Sequence, residues 1–206
     1  MRRLAILEPL LVFGLIVAYI WEVRAAHPNW WIAIPALMFL SHWVHHESPR
    51  ALGFDLPNLK DGLRQLAPAL VLIALLLVST GVLMRTLRQT GFDGALLALA
   101  AYLPWGLAQQ YALNGYFLGR FDAVLSTRAS SLAAAVLFSA AHAPNPFLMA
   151  VGFPLGWCAT LLYRQTRNLY LLGIAHAEVG LLLFLVAPDS VSRHMRVGPG
   201  WFRPLP

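Results

Sequence analysis

The chain has 206 residues, of which 59% are hydrophobic and 12% are charged, and its mean hydropathy is +0.64; this excludes an ordinary soluble domain, in which about a quarter of the residues are charged, and indicates an integral membrane protein. The formal net charge of +6 does not indicate a nucleic-acid partner, because the basic residues lie between apolar runs, as the positive-inside rule expects. The single cysteine, Cys158, excludes an internal disulfide.

Seven apolar runs predict membrane-spanning helices, because a helix of about 20 apolar residues crosses a bilayer. The fifth run is short, which favours burial among the other helices over contact with lipid. The runs lie near residues 4–21, 29–44, 66–84, 94–118, 129–143, 146–163 and 169–187. They predict an all-α polytopic transmembrane bundle of about seven spans, with residues 1–206 forming a single integral membrane domain.

The first apolar run is similar to a signal peptide, because Arg2 and Arg3 precede it. It is about twice as long as many signal-peptide cores, however, and Glu8 and Pro9 interrupt it. No clean cleavage site of small residues follows. We therefore expect this helix to be retained.

The segment 49–66 joins the second and third runs and has an amphipathic pattern. Its leucines recur at helical spacing opposite charged side chains, which predicts a helix lying in the membrane interface. Asn58 is the expected N-cap, and the alternative is an ordinary polar connection. The residues that form the two faces are Leu56, Leu59, Leu63 and Leu66 on one side and Lys60, Asp61 and Arg64 on the other.

The distribution of Lys and Arg predicts the orientation of the chain. Nine of the fifteen fall on the side of the N-terminus and six on the opposite side. The positive-inside rule therefore favours a cytoplasmic N-terminus and an external C-terminus.

Strongly polar side chains inside the predicted spans are the first functional candidates, because burying them in a bilayer costs free energy. The alternative for each is hydrogen bonding between helices, which stabilises membrane bundles by around 1 kcal/mol. Gln110 and Asn114 are four residues apart and share a helix face, while Gln109 lies about 100° round the helix. The other candidates are Glu8 in the first span, His142 at the end of the fifth, and His176 and Glu178 in the seventh.

A second group of candidates is the sequence SHWVHHE, in which His42, His45 and His46 fall on one helix face. An HxxHH pattern also occurs in membrane di-iron desaturases, but those enzymes need several such boxes and this chain has seven histidines in all. A regulatory or adventitious metal site is one alternative. The other is an interfacial helix end, where amphipathic rings favour the headgroup region.

Three segments, in order, resemble the CPBP family of intramembrane proteases, which includes CAAX prenyl endopeptidases of the Rce1 type and bacterial Abi proteins. The family motif EExxxR is matched by QQYALN, residues 109–114, and the motif FxxxH by Phe138 and His142. The third motif, HxxxN, is matched by His176 with Gly180 in its last position. The resemblance covers residues 50–187, approximately.

The resemblance implies a polar pocket inside the membrane, in which a glutamate helped by histidine activates the water that attacks a peptide bond. This chain keeps both histidines, His142 and His176. It has Gln109 and Gln110 in place of the glutamates, with Asn114 in place of the arginine. An amide does not accept a proton at neutral pH, and a general base must do so.

Three hypotheses for the function follow from the resemblance and these substitutions. The first is an active intramembrane endopeptidase with altered catalytic groups, the second a pseudoprotease or complex subunit that binds a membrane peptide or lipidated tail, and the third a lipid or isoprenoid enzyme. Glu178 could substitute as the acid or base, but it points about 200° away from His176 on a continuous helix. The sequence indicates no particular cofactor, and the resemblance implies a bacterial inner membrane.

Overall fold

The computed structural model describes residues 2–205, and over this range the chain forms helices joined by turns, with no β-strand. Its α-helices are α1 (Arg2–Ala18), α2 (Ala33–Val44), α3 (Leu59–Leu83), α4 (Gly91–Gln110), α5 (Gly119–Asp122), α6 (Thr127–Ala140), α7 (Pro146–Thr166), α8 (Leu169–Val186) and α9 (Asp189–Ser192). Two π-helices, Tyr19–Val23 and Tyr111–Leu118, follow α1 and α4 directly. Short 3-10 helices occupy Pro28–Ile32, Arg193–Met195 and Gly198–Phe202. The predicted all-α class is confirmed.

Five helices of the described range are long and apolar enough to cross a membrane. They are Ile6–Val23, Leu59–Leu83, Gly91–Asp122, Pro146–Thr166 and Leu169–Val186. These helices identify an integral membrane protein. The predicted number of seven spans is not confirmed, because α2 has 12 residues and α6 has 14, fewer than the roughly 20 that a crossing helix needs.

The amphipathic helix predicted within 49–66 begins at Leu59, directly after the predicted N-cap residue, but it is not separate from the following span. Residues 49–58 form turns, with Gly53 at a φ of 88°, and Leu59 begins α3, which continues unbroken to Leu83. Two close contacts explain the turns: a side chain on Gly53 would lie 2.9 Å from the Arg167 carbonyl oxygen, and the Gly53 carbonyl accepts a hydrogen bond from the Leu169 amide at 2.8 Å. These contacts attach the connection to the α7–α8 turn.

Asn58 precedes α3, as predicted, but its side chain does not cap the helix. Its amide nitrogen donates to the Thr166 carbonyl at 3.0 Å, and its amide oxygen accepts a hydrogen bond from Asn168. Asn168, which is 1% exposed, in turn caps α8 by accepting from the Leu171 amide at 2.8 Å. Asn58 therefore joins α3 to the α7–α8 turn.

Helices α4 and α8 form the most extensive helix pair of the described range, and they run antiparallel. A Cβ added to Gly106 would lie 2.7 Å from the Gly173 carbonyl oxygen, and one added to Gly173 would lie 3.0 Å from the Leu107 Cα. Small residues let two membrane helices approach backbone to backbone. The two glycines therefore fix where α4 crosses α8.

Arg88 attaches the α3–α4 connection to the end of α8. Its Nε donates to the Phe184 carbonyl at 2.6 Å, one Nη donates to the Ala187 carbonyl at 3.1 Å, and the other donates to Asp189 at 3.0 Å. The Arg88 guanidinium beside Asp189 holds the pKa of that carboxyl below its usual value. The pair lies outside the five spans and ties the C-terminal segment to the bundle.

Asp189→Asn is expected to lower the melting temperature at pH 5 by an amount equivalent to about 1 kcal/mol or less, because the pair is partly solvated. A carboxyl whose pKa is depressed by folding stabilises the fold above its unfolded pKa and loses that effect as the pH falls. The difference between native and variant proteins should therefore shrink as the pH falls below about 3.9, the usual pKa of Asp, and disappear once the pH is below the depressed pKa of Asp189. Asp61→Asn, whose side chain is 72% exposed, is the control. A difference for Asp189→Asn that does not shrink as the pH falls through the acid range would contradict the assignment.

Candidate functional site

Three of the predicted site residues form a hydrogen-bonded chain, which we call the amide–histidine chain. The Asn114 side-chain amide donates to the Gln110 carbonyl oxygen at 2.7 Å, and the Gln110 amide nitrogen lies 3.1 Å from Nδ1 of His176. Gln110 and Asn114 are 3% and 1% exposed. The spacing of four residues therefore brings the two amides together, as the sequence predicts, and α8 supplies the histidine.

The α4–α8 crossing explains why Gln110 and His176 meet. Each follows by one helical turn the point where α4 and α8 touch at Leu107 and Gly173. Side chains on a helix lean toward its N-terminus, so on antiparallel helices these two lean back toward the crossing and toward each other. The close approach permitted by the glycines brings them within hydrogen-bond distance.

The helix changes its winding directly after Gln110. Residues Tyr111–Leu118 are π-helical, and every residue of this segment except Ala112 is buried. π-helical turns are rare and frequently occur at functional sites. Asn114 therefore reaches Gln110 from within a π-helix, and its direction depends on how that segment is wound.

The hydrogen-bond partners assign the protons of the two histidines. The Gln110 carbonyl already accepts from Asn114, so Gln110 donates its amide hydrogen to Nδ1 of His176, and the proton of that ring is on Nε2. His142 lies in the turn after α6, where its Nδ1 donates to the Phe138 carbonyl at 2.7 Å. Its Nε2 therefore carries the lone pair. Both rings pack against the Phe138 ring, with centroids 5.0 Å from it for His142 and 5.9 Å for His176.

Gln109 and Glu178 lie outside this chain. Both are partly exposed, and neither side chain makes a hydrogen bond to another side chain or backbone group of residues 6–205. Helix α8 is continuous from Leu169 to Val186, so Glu178 stays on a different face from His176. The structure thus brings together Gln110, Asn114 and His176, with His142 beside the shared Phe138 ring.

The three histidines of SHWVHHE do not converge. His42 is buried and its Nδ1 lies 2.7 Å from Glu47, whereas Nδ1 of His45 bonds to the Ser41 carbonyl at 2.8 Å. His46 is exposed and follows the helix end at a φ of 56°. Within residues 2–205 no group of three or more His, Cys, Asp or Glu side chains could hold a metal ion.

A charged cluster that sequence patterns did not reveal surrounds Arg120, in α5. Arg120 is 7% exposed and donates to Glu8 at 3.1 Å and to Glu47 at 2.7 Å. It also donates to the Ser41 hydroxyl at 2.9 Å and lies against His42. We call these five residues the Arg120 cluster; they come from α1, α2, the turn after α2, and α5.

Only part of the Arg120 cluster carries a signal in the sequence. Glu8 stands out because it interrupts an apolar run, and Arg120 follows the apolar sequence NGYFLG. Their partnership was not predictable, because they are 112 residues apart. Burial alone would raise the pKa of Glu47, which lies outside the spans, but hydrogen bonds from Arg120 and His42 outweigh burial and hold that pKa below its usual value.

Three buried side-chain atoms of the described residues have no protein hydrogen-bond partner: Nε2 of His42, the hydroxyl of Tyr111 and Oδ1 of Asn114. All three residues belong to, or lie beside, the two polar groups described above. The Tyr111 ring is 5.7 Å from the His42 ring, centroid to centroid. The unpartnered buried polar atoms of the described residues therefore lie in or beside the π-helix.

Tyr111→Phe is expected to leave the free energy of unfolding unchanged within about 0.5 kcal/mol, or to raise it, because an unpartnered buried hydroxyl does not stabilise the fold. The matched control is Tyr163→Phe, since the Tyr163 hydroxyl donates to the buried Leu52 carbonyl at 2.9 Å. That variant should lose about 1–3 kcal/mol because an acceptor is left unpaired. Unfolding in mixed micelles compares the two, and equal losses would contradict the assignment.

A partly open apolar cavity of about 270 Å³ lies at the α4–α8 crossing, and its lining does not include Gln110, Asn114 or His176. It includes Leu107 and Gly173, which precede Gln110 and His176 by one helical turn each. The remaining lining residues are Leu56, Leu59, Leu103, Pro104, Tyr170 and Ile174. A hydrophobic chain in this cavity would lie about one helical turn from Gln110 and His176.

One comparison with known proteins identifies a family. The family model described as "Type II CAAX prenyl endopeptidase Rce1-like" matches residues 77–182, a range that contains the amide–histidine chain and His142. No curated protein and no solved structure has a significant match to the chain.

Proposed function

We propose a function from one premise: the chain belongs to the Rce1-like family of type II CAAX prenyl endopeptidases. The protein binds, within the bilayer, a lipidated or membrane-inserted peptide segment and does not cleave it. Family membership supports a membrane-associated substrate or ligand. The side chains of the amide–histidine chain support the lack of hydrolysis.

The observation that carries the proposal is the composition of the amide–histidine chain. No Asp or Glu of residues 2–205 makes a hydrogen bond to Gln110, Asn114, His142 or His176. Attack of water on a peptide bond needs a group that accepts the proton, and an amide does not. Gln110 also uses both ends of its amide within the chain, donating to His176 and accepting from Asn114.

The two histidines are suited to bind a peptide group. Nε2–H of His176 is a donor for a peptide carbonyl, and Nε2 of His142 is an acceptor for a peptide N–H. Hydrogen bonds in a membrane interior help to hold a polar backbone there, because the alternative is an unsatisfied group in hydrocarbon. The pair therefore favours an extended peptide over a lipid without amide groups.

The apolar cavity supports a lipidated ligand. Within a bilayer, apolar groups associate through van der Waals packing and not through removal from water, and four of the eight residues that line the cavity are leucines. Its position about one helical turn from Gln110 and His176 permits one ligand to place a lipid tail in the cavity and its peptide by the histidines. A cytoplasmic N-terminus and a bacterial inner membrane remain predictions of the proposal.

The second candidate is proteolysis with His142 as the base, which the free lone pair on its Nε2 favours. In that case Nε2–H of His176 would stabilise the oxyanion. Only the second candidate function produces a cleaved peptide. Detecting that product therefore distinguishes the two functions.

The test uses the full-length protein in liposomes, with fluorescent peptides that carry or lack a prenyl group. We expect the prenylated peptide to bind, His176→Ala to weaken binding about tenfold through loss of a buried hydrogen bond, and mass spectrometry to detect no cleavage. Glu178→Gln is the control for binding and tests Glu178 as a substitute base. If the native protein cleaved the peptide and both His142→Ala and His176→Ala abolished cleavage, the proposal would be overturned in favour of proteolysis. Equal affinity for the prenylated and the unprenylated peptide would overturn the proposal that the ligand is lipidated.

A gain-of-function variant gives the complementary result. Gln109→Glu, Gln110→Glu and Asn114→Arg, combined, restore the family motif at these positions. If the native amides at these three positions are all that prevents hydrolysis, we expect this variant to cleave the peptide and the native protein not to cleave it.

A further inference from the structure

The π-helix Tyr111–Leu118 lies between two polar residues, Gln110 and Arg120. An α-helix is the more common winding, and a π-helical segment persists where its surroundings determine it. The eight π-helical residues have polar anchors at both ends: Gln110 and Asn114 bond at the first turn, and Arg120 follows the last.

Arg120 is held on several sides. Its Nε and Nη2 donate to Glu8, Ser41 and Glu47 over distances of 2.7–3.1 Å, and its guanidinium lies 5.5 Å from the centre of the Tyr116 ring. Arginine presents its donors in a rigid plane, so several partners fix the direction of the side chain as well as its position. The helix that carries Arg120 therefore has one rotation about its axis at which the guanidinium bonds to α1, α2 and the turn after α2 at the same time.

Because each π turn contains more residues than an α turn, rewinding residues 111–118 as an α-helix would rotate Asn114 and Arg120 relative to Gln110. Arg120 could then not keep its partners while Gln110 keeps His176. Asn114 lies within the rewound segment, so its bond to Gln110 would also be lost.

We propose that Arg120 is a positioning residue for the candidate site: by fixing the far end of the π-helix, it keeps Asn114 turned toward Gln110 and Gln110 toward His176. Arg120 touches none of these three side chains and acts through the winding of the segment between them. The inference goes beyond the proposed function and is independent of it, since it applies equally to a site that binds and to one that cleaves.

The test measures His176 itself. In full-length protein with ¹⁵N-labelled histidine, the signals of Nδ1 and Nε2 report which nitrogen carries the proton and whether Nδ1 accepts a hydrogen bond; His176→Ala assigns them. We expect Arg120→Lys, which keeps the charge but not the planar set of donors, to abolish the native His176 signal and to give one like that of Gln110→Leu. The control is Arg164→Lys, because Arg164 makes a similar set of bonds to Asp122, Ser130 and Ser131.

An unchanged His176 signal in Arg120→Lys, or an equal change in Arg164→Lys, would overturn the inference. A second variant covers the case in which Arg120→Lys does not fold. Arg120→Leu combined with Glu8→Gln and Glu47→Gln removes the charges together, and in this protein the His176 signal should also be lost. A folded triple variant with the native His176 signal would overturn the inference as well.

Discussion

Arg120→Ala is expected to lower the free energy of unfolding by about 3–5 kcal/mol, the cost typical of removing one partner from a buried ion pair. The guanidinium is 7% exposed and faces two carboxylates, Glu8 and Glu47, whose side chains are each 31% exposed. Without it, two partly buried negative charges remain with no cation bonded to them. Unfolding in mixed micelles at neutral pH measures the loss.

Two further variants test whether the loss comes from the buried charges around Arg120. Arg164→Ala removes a more exposed arginine, 24% exposed, from a partner that is 35% exposed, and pairs of this kind contribute about 1 kcal/mol or less. Adding Glu8→Gln and Glu47→Gln to Arg120→Ala should restore part of the lost stability, since the carboxylates no longer need a counter-charge. An Arg120→Ala loss as small as that of Arg164→Ala, or no recovery in the triple variant, would contradict this account of the cluster.

The sequence predicts one of the two bonds of the amide–histidine chain, the bond between Gln110 and Asn114, because these residues are four positions apart. Gln110 and Asn114 meet across one helical turn, and a polar residue within an apolar run is expected to find a partner on another helix. Which residue of α8 that partner is, His176 or Glu178, depends on the α4–α8 crossing. The resemblance pointed to His176, the side chain that Gln110 contacts, and the geometry of Gly106 and Gly173 gives the physical reason for the contact.

The Arg120 cluster and the π-helix could not be predicted in the same way. The cluster joins residues near positions 8, 41–47 and 120, and no period or motif in the sequence links such distant segments. The π-helix has no pattern of its own, because its residues are as apolar as those of the α-helix before it. Both features depend on how α1 and α2 pack against the helix Gly91–Asp122, and that packing is tertiary.

The helix predicted within 49–66 differs from the observed one for a related reason. Its leucines and charges have the period of an amphipathic helix, but Gly53 and Asn58 bond to the α7–α8 turn. These contacts, between residues more than a hundred positions apart, outweigh local helical preference over 49–58. From Leu59 onward the prediction of helix is correct, and the helix joins the following span.

The glycine crossing is the structural feature on which the site depends most directly, and Gly106→Leu tests it. A Cβ on Gly106 would lie 2.7 Å from the Gly173 carbonyl oxygen and 3.0 Å from the Ala177 amide nitrogen. Both are backbone atoms, so α4 and α8 must separate. Overpacking of this kind costs about 1–3 kcal/mol, occasionally more, and we expect Gly106→Ala within that range and Gly106→Leu at or above its upper end.

The same separation should break the hydrogen bond between Gln110 and His176, so Gly106→Ala is also expected to reduce binding of the prenylated peptide. The matched control is Gly119→Ala in the continuation of the same helix, where an added Cβ meets no atom within 4 Å. Because alanine favours a helix over glycine by about 1 kcal/mol, that variant should keep or gain stability and keep binding. If Gly106→Ala behaved like Gly119→Ala in both measurements, the close approach of α4 and α8 would not be what holds His176 against Gln110.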